Sequence, residues 1–133
     1  GLLLWNRGSK KVETTVFEGP YAFAAAQSGD SFFLAGGTAN DFPVQRRDRK
    51  TGALQATYLG AKNTVWGLAV SPDGRWVGVS ELQGPVLVWE QATGMLVYRS
   101  DSEIPQSLSL AFVPEGRGLL VGDTLGRVHA VRF

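Results

Sequence analysis

Apolar residues run along this chain in short stretches of four to eight positions, rich in Val, Leu, Phe, Trp and Ala and bounded by Gly, Pro, Asp and Asn. That is the signature of β-strands separated by turns, and no stretch sustains a helical period. The stretches also repeat. A step of 42 residues carries Leu2 to Val44, Val86 and Val128, and Trp5 to Arg47, Trp89 and Val131. Pro43 maps onto Pro85, Thr51 onto Thr93, Gly52 onto Gly94, Leu54 onto Leu96 and Gly84 onto Gly126. The turn Ser71-Pro72-Asp73-Gly74 maps onto Val113-Pro114-Glu115-Gly116, while an earlier unit is looser and has Gly29-Asp30-Ser31 there. In the clearest unit strands are expected at Thr64 to Val70, Arg75 to Ser80, Pro85 to Glu90 and Met95 to Ser100, a four-stranded antiparallel meander. Val86-Leu87-Val88-Trp89 is apolar at consecutive positions, so both faces of its sheet must be covered. Sheets stacked face to face around an axis meet that need.

At this point the residues resemble a known family. The stretch Thr57 to Gly94, with Leu59-Gly60, Val65, Leu68-Ala69, Ser71-Pro72-Asp73-Gly74, Val86-Leu87-Val88-Trp89-Glu90 and Thr93-Gly94, looks like one WD-repeat of a β-propeller. Gln106 to Phe133 is a good match without the tryptophan, and Tyr21 to Tyr58 is a poorer one. The family's glycine-histidine pair reads Gly60-Ala61 here, and its acidic turn residue reads Leu82 or Gln83. The hydrogen-bonded network usual in such blades is therefore not expected, and packing and turns must hold them.

The expected fold is all-β: four-stranded antiparallel blades of a WD-repeat-type propeller, incomplete as a ring. With strands lettered a to d from the inner edge outward, residues 1–17 supply strands c and d of a first blade, 18–59 a second blade, 60–101 a third, and 102–133 strands a to c of a last one. That is about three and a quarter blades, below the four to eight that close a propeller. The expectation is a C-terminal portion of a larger propeller, completed by another polypeptide. A homodimer, in which the strand at Lys11 to Phe17 completes the partner's last blade, ranks second.

Composition narrows the function. The 133 residues include 44% hydrophobic positions, 13 basic against 12 acidic residues, and no cysteine. A core can form, disulfides and thiolate metal sites are excluded, and no net field draws the chain to nucleic acid or to a membrane surface. The apolar run Leu2 to Trp5 is too short for a membrane span. No pattern fixes a compartment, although the cytoplasm is favoured. The single histidine, His129, lies among Val128, Ala130 and Val131 in register with Leu3, Gln45 and Leu87, which points to a core or blade-interface position. One histidine without cysteine does not make a zinc site. Asp30, Asp73, Glu115 and Asp123 fall in turns, where carboxylates bond to backbone amides. Neither catalytic residues, nor a metal, nor a cofactor is expected. Trp5, Trp66, Trp76 and Trp89 should fill gaps between blades, with an exposed binding role open for Trp66. Arg46-Arg47-Asp48-Arg49-Lys50 places charges where other units have Val88-Trp89 or Leu4-Trp5, so the arginines must be paired, solvated or covered by a partner.

By resemblance, the function is a non-catalytic scaffold or sensor module for protein recognition, bound to its own missing blades and to a ligand protein. The alternative is an accessory portion of an enzyme whose catalytic groups lie in another segment. The resemblance implies binding by the d-to-a and b-to-c loops, here Glu18 to Tyr21, Thr38 to Phe42, Ala61 to Thr64, Glu81 to Gln83 and Ser102 to Gln106. Candidate protein-binding residues are Tyr21, Asn40, Asp41, Arg46, Arg47, Lys62, Asn63, Trp66, Gln83 and Gln106.

Overall fold

A computed structural model describes residues 2–17, 24–36, 43–101, 104, 106–114 and 117–133. Thirteen strands form among them: β1 (Leu2–Asn6), β2 (Lys11–Phe17), β3 (Ala24–Ser28), β4 (Ser31–Ala35), β5 (Val44–Asp48), β6 (Leu54–Tyr58), β7 (Val65–Val70), β8 (Trp76–Glu81), β9 (Val86–Glu90), β10 (Leu96–Arg99), β11 (Ser107–Phe112), β12 (Gly118–Asp123) and β13 (Val128–Arg132). No helix forms among the described residues. The strands make four antiparallel meanders, β1-β2, β3-β4-β5-β6, β7-β8-β9-β10 and β11-β12-β13. β3, β7 and β11 pack side by side, so these first strands form the inner edge and the sheets stand as blades of an unclosed propeller ring.

Turn chemistry recurs with the repeat. After β1, β5 and β9 a side-chain acceptor at the end of the strand caps the turn. Asn6 Oδ1 accepts from the amides of Gly8 and Ser9 at 2.8 and 3.0 Å. Asp48 Oδ1 accepts from those of Lys50 and Thr51, both at 2.8 Å. Glu90 Oε2 accepts from the Thr93 hydroxyl at 2.9 Å. Each turn then needs one residue in the left-handed region, supplied by Lys10 (φ 54°), Gly52 (72°) and Gly94 (72°). Glycine reaches that region without a Cβ clash, so Lys10 is the costly member of the set.

Pairing irregularities recur as well. Between β1 and β2, β5 and β6, and β9 and β10, the register skips one residue of the outer strand, at Glu13, Gln55 and Val97. On the inner side the pairing of β7 with β8 skips Trp66, and that of β11 with β12 skips Leu108. These β-bulges sit one repeat apart, and each leaves a residue outside the ladder.

The core lies between blades. Phe33, Val44, Tyr58, Val65, Val77, Val79, Leu87 and Trp89 pack between the second and third sheets. Trp76, Val86, Val88, Ile104, Leu119 and Val121 pack between the third and fourth. Every residue of β8 is buried, and β9 is buried from Val86 to Trp89, as a sheet covered on both faces requires. The Trp89 indole NH donates to the Leu59 carbonyl at 2.9 Å, and Tyr58 Oη donates to that of Gln91 at 3.0 Å, so both rings carry their polar atoms into the core satisfied. Trp76 meets Phe133 edge-on at 5.4 Å. The expectation that all four tryptophans fill gaps between blades holds for Trp76 and Trp89 only. Trp5 is 58% exposed and Trp66 46%.

Candidate functional site: one rim of the blades

The turns between second and third strands and the segments leading into first strands share one rim, and backbone bonds lock them together. In the third blade the Leu82 amide donates to the Thr64 carbonyl at 2.8 Å, and in the fourth the Thr124 amide donates to that of Gln106 at 3.2 Å. The Thr124 hydroxyl adds a bond of 2.8 Å to Gln106 Oε1. The equivalence is again one repeat.

Carboxylates at the ends of both second strands add bonds, against the expectation that packing and turns alone hold the blades. Glu81, fully buried at the end of β8, accepts through Oε2 from the amides of Lys62 and Asn63 at 3.0 and 2.8 Å. Those amides precede β7 and have no ladder partner, so an acid within reach satisfies them. Asp123 holds the matching position on β12. Its Oδ1 accepts from the amides of Leu125 and Arg127 at 2.9 and 3.0 Å, as a turn carboxylate is expected to do. Its Oδ2 accepts from Arg127 Nε at 2.7 Å and His129 Nε2 at 2.8 Å. The His129 bond, followed by the bonds from Arg127 and Leu125, holds the Asp123 carboxyl well below the ordinary carboxylate range against the opposing effect of burial. The acid position in the third blade is therefore Glu81, one residue before Leu82 and two before Gln83, the turn sites at which it was expected, and Asp123 is its counterpart one repeat later. His129 has a hydrogen-bonded structural role. It is only part-buried, and it ties the outermost strand to Asp123, where Leu87 in the third blade is a core residue.

The structure brings Lys62, Asn63, Trp66, Gln83 and Gln106 to this rim. The bulges turn Trp66 and Leu108 out of their ladders on adjacent inner strands, 46% and 39% exposed. Lys62, Asn63, Gln83 and Gln106 are exposed around them. Gln83 and Gln106 sit at φ 54° and 51°, left-handed conformations rarely adopted by residues with a Cβ. Leu108 and Leu125, the latter 69% exposed on the same rim, were missed by sequence reasoning. The signal available for Leu108 was its register with Trp66.

Arg46 and Arg47 lie elsewhere, on β5 toward the opposite rim. Arg46 Nη1 donates to Gln91 Oε1 at 3.3 Å. Arg47 donates to Gln45 Oε1 at 3.1 Å and to the Gly52 carbonyl at 2.9 Å. Tyr21, Asn40 and Asp41 fall outside the described residues. Among the described residues no group of three or more His, Cys, Asp or Glu side chains is placed to hold a metal ion.

With the geometry in place, known proteins can be set beside the chain. It is 33% identical over 99 residues to an uncharacterized WD repeat-containing protein of Synechocystis sp.. That alignment covers 73% of this chain but 28% of the relative, so the chain spans little more than a quarter of the protein it matches. Among solved structures it resembles the computationally designed Ika4 protein, with a TM-score of 0.70 at 19% identity, covering 84% of this chain and 66% of that one. No family model matches the chain. The similarity is to a WD repeat-containing protein, and the fold is that of incomplete propeller blades.

Proposed function

We propose that this chain is a portion of a WD-repeat propeller acting as a non-catalytic module for protein recognition, with residues 1–17, 18–59, 60–101 and 102–133 as successive blade units and the ring completed by further polypeptide. The observation that carries the recognition role is the paired bulge at Trp66 and Leu108. Two large apolar side chains stand exposed on neighbouring inner strands, with exposed amides and one lysine on the same rim, and the segments leading into those strands are held by Glu81 and by the bonds between Thr124 and Gln106. An aromatic anchor with a polar border on a rigid base is the usual make-up of a binding hot spot. The similarity to a WD repeat-containing protein supports the same class of function.

The test is retention of binding proteins by the chain and by a Trp66→Ala/Leu108→Ala double variant, with the urea midpoint of each measured alongside. Loss of the retained proteins at an unchanged midpoint is expected. An identical retained set would refute a recognition role for this rim.

A further inference from the structure

The outer edge of β13 differs from its counterparts in charge, and the difference points to what covers it. Strands β1, β5 and β9 end at Asn6, Asp48 and Glu90, and each of these side chains accepts a bond that caps the following turn. β13 ends at Arg132 in the same register, opposite Gly118 as Glu90 is opposite Trp76. An arginine offers donors and no acceptor, so the charge and hydrogen-bonding character of this position are reversed. In the third blade Glu90 Oε1 also pairs with Arg75 Nη2 at 3.7 Å. One repeat later the arginine is kept as Arg117, but Arg132 replaces its acid. Arg132 is exposed on the open face of the sheet with Leu120 and Ala130, while the exposed Arg117 turns to the other face, over the rings of Trp76 and Phe133 at 5.0 and 5.3 Å. Beside them is a cavity of about 560 Å³ lined by Val113, Arg117, Leu119, Val131, Arg132 and Phe133.

We propose that the β13 edge takes an acidic, extended segment of protein as a fourth strand, with a carboxylate at its start facing Arg132. This rests on the reading that further polypeptide completes the last blade, and it specifies the chemistry of that polypeptide. The three existing outer pairings set the register. Trp5, Arg47 and Trp89 face Val12, Leu54 and Leu96, and after one skipped residue Leu4, Arg46 and Val88 face Thr14, Ala56 and Tyr98. The incoming strand accordingly places one residue opposite Val131, bulges the next, and places the third opposite Ala130. Its carboxylate precedes the residue opposite Val131, the place held by Lys11 in β2, which faces Asn6. A second copy of this chain adding β2 to the edge would set Lys11 against Arg132. The charges thus disfavour the homodimer.

Two probe peptides test the inference, both copying Met95 to Asp101, one carrying Met95→Glu and the other Met95→Lys. Fluorescence anisotropy at low salt should show the glutamate peptide binding the chain about fivefold or more tightly than the lysine peptide, the scale of one accessible ion pair. Arg132→Glu should reverse the preference and Arg132→Gln should abolish it, and both substitutions are at an exposed side chain. Because the chain has no cysteine, an Ala130→Cys variant should form a disulfide with a glutamate peptide carrying cysteine at the Tyr98 place and not at the Val97 place. Equal affinities in the parent chain, or a preference that Arg132→Glu leaves unchanged, would overturn the acidic segment while leaving strand addition standing. Binding of neither peptide, or a cross-link only at the Val97 place, would overturn the inference at the edge itself. The recognition role at Trp66 and Leu108 is tested separately and does not depend on these outcomes.

Discussion

Asp123 carries more of the last blade than any other polar side chain described, because one carboxylate joins two turn amides, Arg127 and the outermost strand through His129. Its carboxyl is held below the ordinary value, so the folded chain releases that proton more readily than the unfolded chain does. The stabilisation is full above the unfolded value of about 4 and is lost as pH falls below it. Asp48, bonded by Thr51 and Lys50, and Asp73, bonded by the Ser71 hydroxyl and the Arg75 amide, shift in the same direction. Urea midpoints measured between pH 7 and pH 3 should therefore fall for the parent chain. Asp123→Asn should begin lower at pH 7 and fall less steeply, so that the two curves converge in acid. Parallel curves would show that the carboxylate charge does not matter. A turn acid at Asp123 was legible in the sequence. Its bond to His129 was not, because a residue on one strand and the end of its neighbour meet only once the register of β12 and β13 is set.

At the scale of elements, glycine governs how closely the blades approach. A Cβ built on Gly67 of β7 would lie 2.5 Å from Ser80 Oγ and 2.6 Å from Leu110 Cδ2 of the next blade, and one on Gly78 of β8 would meet Leu110 and Phe112 at 3.1 and 3.2 Å. Gly67→Ala should cost about 1–3 kcal/mol, the usual penalty for overpacking a filled core. Equilibrium urea unfolding would measure it, and a variant as stable as the parent would mean that the interface yields. The repeat in the sequence located these strands well. Expected strands at Thr64 to Val70 and Met95 to Ser100 became Val65–Val70 and Leu96–Arg99. Bulges were not visible in advance, since skipping Trp66 or Gln55 changes pairing without changing the apolar pattern around it.

For the whole molecule the consequence is a gradient of protection. The third blade is packed on both faces, whereas the last sheet exposes Leu120 at 44% and Val128 at 70% and presents the edge of β13 without a fourth strand. Native-state hydrogen exchange should be slowest for the amides of β8 and β9 and faster by orders of magnitude along β13, because opening free energies follow local burial. Equal protection in these strands would mean that the last blade is already covered in solution. The exposed face and edge are also where the charge change at Arg132 lies.

The sequence alone determined the all-β class, the 42-residue period and the strand order, because alternation of apolar runs with turn residues is a local property that any reader of the chain can follow. It did not determine which side chains meet across blades. That Trp66 faces solvent while Trp89 is buried, and that Glu81 and Asp123 serve as the blade acids, were decided by tertiary structure. Each depends on register and bulges, which are set by contacts between residues far apart in the chain.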